Sequence, residues 1–130
     1  MPSLSISPLY AGLIGLLYIY LSFRVIGRRR GAKVSVGDGN DQDLLKRIRV
    51  HGNLAEYAPL GLLLLAMAEL QGAPGGVIHA LGVMLLAGRL IHAHGLASSP
   101  QIMRFRQLGM VLTLLMLTLA SLANIGHALF

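Results

Sequence analysis

Two stretches of this chain run uncharged over a length that matches the thickness of a lipid bilayer. Leu4 to Phe23 has no Asp, Glu, Lys or Arg before Arg24, and Gln107 to Phe130 has none at all. A membrane helix needs roughly 20 largely apolar residues to cross the hydrocarbon core. Between these runs lie two more: Leu54 to Leu70, which holds Glu56 and Glu69, and Val77 to Leu96, which holds Arg89 near its end, toward the membrane rim. The sequence therefore predicts an all-α membrane protein, a bundle of four transmembrane helices over about 4–27, 42–71, 75–97 and 101–128. With 130 residues it is one unit, not two. A soluble domain of this size could not hide a composition that is 55% hydrophobic and 12% charged. The first run has its charges after it and no small-residue cleavage motif, so it reads as a retained helix.

The breakers between the runs define the connections. Gly27 to Gly39 (GRRRGAKVSVGDG) reads as a basic loop, and Asn40 or Asp41 as the N-cap of the second helix. Gln71 to Gly76 and Ser98-Ser99-Pro100 read as the other two turns. The second helix would be about 43 Å long at about 1.5 Å per residue, so its first turns, with Lys46, Arg47 and Arg49, should project into the headgroup region.

The 11 Lys and Arg outnumber the 5 Asp and Glu, a net charge of +6. The basic residues flank hydrophobic runs and are not interleaved with stacking aromatics, which argues against nucleic acid and for lipid headgroups or a small anion. The N-terminus, the Gln71–Gly76 turn and the C-terminus carry no Lys or Arg. The positive-inside rule then puts the basic connections in the cytoplasm and both termini outside. There is no cysteine, which excludes disulfides, thiolate metal sites and a cysteine nucleophile. His92 and His94 lie about 200° apart on a helix and cannot share a metal, so no metal site is expected. His51, on the side of helix two away from Arg49, reads as an interhelical or headgroup contact. Gly12, Gly15, Gly61, Gly82, Gly88 and Gly109 suggest close helix packing in lipid.

The most informative stretch is Arg47-Ile-Arg-Val-His-Gly-Asn-Leu-Ala-Glu-Tyr-Ala-Pro59. At 100° per residue, Arg49, Asn53, Glu56 and Tyr57 fall at about 0°, 40°, −20° and 80°. That is one polar stripe on a helix entering lipid, where each ionisable residue costs at least ~2.5 kcal/mol. An isolated Arg–Glu pair near a membrane boundary is commonly a snorkelling anchor with its structural partner. The added amide and phenol make a site for a zwitterionic ligand the better reading. Arg would take a carboxylate, Glu an ammonium and Asn a peptide group.

The pattern Arg49-x-x-x-Asn53-x-x-Glu56-Tyr57-x-Pro59 resembles the helix-two signature of the membrane-associated proteins in eicosanoid and glutathione metabolism (MAPEG), and the chain looks most like the short bacterial members. That resemblance implies a homotrimer of four-helix subunits in the bacterial inner membrane, with glutathione as co-substrate between neighbouring subunits. By the same resemblance Arg49, Asn53, Glu56 and Tyr57 bind glutathione, with Arg29 and Arg30 contributing from the first connection. The family's catalytic arginine near the start of helix four corresponds to Arg104 or Arg106. Better-known members carry tyrosines near the cytoplasmic end of helix three. Here His92 stands in for one, and Leu96 replaces another with nothing polar. The implied activity is a glutathione transferase or peroxidase acting on a hydrophobic small-molecule substrate that arrives from the lipid bilayer. Two other readings remain open: a small four-helix transporter using Glu56, and a non-catalytic membrane subunit.

Overall fold

A computed structural model describes residues 3–130. Four helices follow one another: α1 (Ser7–Ala32), α2 (Gln42–Leu70), α3 (Gly75–Ala97) and α4 (Met103–Leu129). No strand occurs among the described residues, and all four helices are long and apolar enough to cross a membrane.

Each helix end has a local cause. Pro8 sits in the first turn of α1, where its missing N–H costs nothing. The backbone donors of Ser5, Ile6 and Ser7 all reach the Glu69 carboxylate, at 2.6 to 3.1 Å. Of the two caps the sequence offers, Asn40 and Asp41, it is Asp41 that caps α2, by accepting from the Leu44 N–H at 2.8 Å. Pro59 lies inside α2 without ending it, and leaves the Ala55 carbonyl without its helical donor.

The arginine triplet is not in a loop. The structure carries α1 on through Arg28, Arg29 and Arg30 to Ala32, and the turn closes where Lys33 takes a left-handed φ of 58°. Gly27 and Gly31 are helical, and arginine is a good helix former whose charge complements the C-terminal end of the dipole.

The bundle runs up and down. The start of α1, the end of α2 and the start of α3 meet at one end, through Glu69 and the contact of Gly75 with Ile6. At the other end Arg28 pairs with Asp41, Arg47 donates to the Arg24 carbonyl and Lys46 to the Ser98 carbonyl. The basic end is thus tied across α1, α2 and the α3–α4 connection. The guanidinium of Arg28 and the Leu44 N–H hold the Asp41 carboxyl below the usual carboxylate range.

Helix α2 packs on all three others and the α3–α4 contact is the most extensive, whereas α1 and α4 do not meet among the described residues. Glycine permits the closest crossing. A Cβ on Gly109 would fall 2.6 Å from the Gly88 carbonyl oxygen, and one on Gly88 would meet Thr113 at 2.8 Å. Gly61 seats Leu85, and Gly82 seats Tyr10. Gly12 and Gly15 have open space instead, so the small-residue reading fails for them within the subunit. Large apolar side chains such as Leu16, Phe23, Val111 and Leu122 face outward, as a lipid-solvated bundle allows.

Candidate functional site

The polar stripe of α2 divides in two. On its outer part Arg49 and Glu56 form an ion pair at 3.4 Å, with both side chains about half exposed (50% and 54%). That separation and exposure make it a loose pair of small energetic weight. Gly52 leaves room for it: a Cβ there would lie 3.2 Å from the Arg49 guanidinium. The inner part, Asn53 and Tyr57, turns toward α3 and meets a residue that the sequence placed at the membrane rim.

That residue is Arg89, 1% exposed and the largest fully buried side chain of the protein. Its guanidinium donates to the Asn53 side-chain Oδ1 and, at 3.3 Å, to the Asn53 carbonyl. It also donates to Thr113 Oγ1 at 3.0 Å and to Met110 Sδ at 3.2 Å. It lies 5.3 Å from the centre of the Tyr57 ring, within cation–π reach. Every one of these partners is neutral. The basic residues do not all flank the apolar runs, as the sequence suggested, because Arg89 is folded into the bundle about two turns from the end of α3.

Beside this cluster opens a cleft of about 330 Å³ between α2, the end of α3 and the start of α4, lined by Lys46, Arg49, Asn53, His92, Gln101 and Arg106 among others. Lys46 is held by the Ser98 carbonyl at 2.6 Å and Ser99 Oγ at 2.7 Å, and Arg106 donates to Gln101 Oε1 at 2.6 Å. The Arg106 Nε is buried yet has no acceptor among the described residues. No carboxylate lines the cleft; Glu56 stands outside it, paired with Arg49.

The predicted site residues are only partly brought together. Arg49, Asn53, His92 and Arg106 line one cleft. Tyr57 joins through Arg89, and Glu56 through Arg49. Arg104 is exposed and lines none of the described clefts. Arg29 and Arg30 line a separate, shallow cleft with Lys33, and Arg29 donates to the Gly37 carbonyl at 2.7 Å. Leu96 lines the main cleft as an apolar wall.

A second groove, about 440 Å³ and apolar, lies between α1 and α2 along Ala11, Gly15, Tyr18, Ala55 and Pro59. His51 lies beside Tyr18 of this groove. It bonds Ser22 Oγ at 2.9 Å and packs against Tyr18, and so fills the interhelical role the sequence gave it.

Sequence reasoning missed Arg89, Lys46 and Gln101 as parts of this site. A signal for Arg89 was present: it is the single Lys or Arg within the Val77–Leu96 run, and it precedes His92 by one helical turn.

Residues 7–126 match the MAPEG family. The chain is also 40% identical over 122 residues to the inner membrane protein YecN of Escherichia coli K12, covering 94% of this chain and 92% of the relative. The same protein of the O6:H1 strain matches equally. With a family match over nearly its whole length and four membrane-length helices, the chain belongs to the MAPEG family of integral membrane proteins.

Proposed function

We propose that the protein is a glutathione-dependent enzyme of the bacterial inner membrane, a transferase or peroxidase acting on lipophilic electrophiles. The observation that carries this reading is the cleft where Arg49, Asn53, His92 and Arg106 converge with no carboxylate in the lining. Glutathione has two carboxylates, an ammonium and a thiol. Arg49 and Lys46 suit a carboxylate and Arg106 the thiol, while Glu56, outside the lining but paired with the cleft's Arg49, suits an ammonium that projects from it.

The chemistry has a simple basis. A free thiol titrates near 8.5, and an adjacent guanidinium in a poorly hydrated site favours the thiolate, the actual nucleophile. Attack on a lipophilic electrophile forms a carbon–sulfur bond and releases the leaving group; with a peroxide, a second glutathione completes reduction as the disulfide forms. Between the two arginines, Arg106 is the better candidate, since it lines the cleft while Arg104 is exposed and lines none of the described clefts. The apolar groove between α1 and α2 offers a route from the bilayer. Arg29 and Arg30 do not reach the cleft of their own chain, so in this reading they serve a neighbouring copy of a homotrimer. The positive-inside rule gives a cytoplasmic cleft and outside termini.

The transporter reading has less support, because Glu56 is half exposed and paired with Arg49 instead of standing alone in the membrane. Calorimetric titration of the purified protein with glutathione tests the proposal. Binding in the millimolar range or tighter, weakened at least tenfold in Arg49→Ala and Arg106→Ala, is the expected result. No heat at millimolar glutathione, together with proton-coupled efflux lost in Glu56→Gln, would replace the enzyme by the transporter.

A further inference from the structure

Resting on that reading, the structure assigns Arg89 a positioning role: it fixes the side chain of Asn53 so that the cleft receives a hydrogen-bond donor and selects a ligand oxygen there. An asparagine amide can face a ligand with either its oxygen or its nitrogen, and the two look alike from sequence. A guanidinium has only donors. Because Arg89 bonds the Asn53 side chain, the amide atom facing it must be the oxygen. The Nδ2 group is then turned the other way, and no described residue accepts from it. Asn53 lines the cleft. The ligand atom at this point is therefore an acceptor, a peptide carbonyl or a carboxylate oxygen, and never a peptide N–H.

The rest of the Arg89 environment makes this orientation hard to reverse. Thr113 and Met110 hold the guanidinium from α4, and Tyr57 lies within cation–π reach on α2. Turning the amide over would set the Asn53 NH₂ against a buried cation and leave Arg89 short of an acceptor in a site 1% exposed. The arrangement also explains why a buried cation has no carboxylate partner. With an aspartate in place of Asn53 the ion pair would be stronger, but the cleft would gain a negative charge where an anion has to bind.

Asn53→Asp separates positioning from folding. It keeps an acceptor for Arg89, so the midpoint of thermal unfolding should equal or exceed the wild-type value, while glutathione affinity falls about tenfold or more through loss of the donor and added repulsion. Asn53→Leu should lower both. Arg89→Met should weaken glutathione binding severalfold, and Arg89→Lys should restore part of the loss. Wild-type affinity in Asn53→Asp would overturn the inference, as would Asn53→Asp unfolding as early as Asn53→Leu. If the wild-type protein binds no glutathione, the proposed function fails. The unfolding comparison of Asn53→Asp with Asn53→Leu then decides alone whether Arg89 holds the amide oxygen.

Discussion

The two ends of the bundle each bury a charged side chain, and they treat it differently. At the end where α1 begins, Glu69 is 8% exposed and its carboxylate accepts from three successive backbone N–H groups. Every partner is a donor, the donors sit at and just before a helix N-terminus, and the charge suits the helix dipole. Toward the basic end Arg89 is buried still deeper, yet its partners are an amide, a hydroxyl, a thioether and an aromatic face. The first cluster is closed and structural. The second is electrostatically incomplete and borders a cationic cleft. Polar groups that satisfy one another hold the fold; a buried cation short of a counter-charge beside a cationic cleft marks a candidate site.

Stability measurements on single variants sharpen that contrast. Glu69→Ala should cost about 3 kcal/mol, because several charge-assisted bonds are lost and the helix start is uncapped. Glutathione affinity should stay within about twofold of wild type, since the Glu69 clamp is at the opposite end from the cleft. Arg89→Met should stay within about 1 kcal/mol of wild type despite the deeper burial, because removing a buried charge without a counter-ion offsets the lost bonds. Thr113 keeps its own bond to the Gly109 carbonyl at 2.8 Å. Denaturant titration in detergent micelles reads both. Equal losses in the two variants would erase the distinction.

The α3–α4 crossing is the next test. Gly109→Ala should cost about 2 kcal/mol, since the added methyl meets the Gly88 backbone and not a movable side chain. Gly12→Ala, with open space around it, should be within about 0.5 kcal/mol. A large effect at Gly12 would show instead that this face is covered by another helix.

The smallest effect concerns the clamp at the basic end. The Asp41 carboxyl titrates below its usual value because Arg28 and the Leu44 N–H favour its charged form. A lowered folded-state value means the stabilisation is complete above the unfolded value of about 3.8 and disappears as pH falls through the folded one. Acid unfolding monitored by circular dichroism should therefore show a wild-type loss below about pH 4 that Asp41→Asn lacks. An identical acid profile in both proteins would remove Asp41 from the account.

The helices were legible because lipid demands long apolar runs, and α2's stripe was legible because four polar side chains on one face of such a run are costly. What escaped the sequence was direction and context. Arg89 counted as a rim charge because an arginine within a few residues of a helix end ordinarily snorkels; only the packing of α3 against α2 and α4 shows it turned inward. The triplet Arg28–Arg30 read as a loop because of its glycines, yet nothing there forces a helix to stop. Arg104 and Arg106 differ by about 200° around a helix, so the choice between them depended on how α4 is rotated, which no linear pattern encodes.

The central claim is that the cationic cleft holds a glutathione thiolate against Arg106. Titrating the purified protein with glutathione at neutral pH while following thiolate absorbance in the ultraviolet tests it most directly. The account predicts a saturable rise in absorbance that is lost in Arg106→Ala and kept in Arg104→Ala. Saturable binding without any thiolate signal, or a signal indifferent to Arg106, would contradict it.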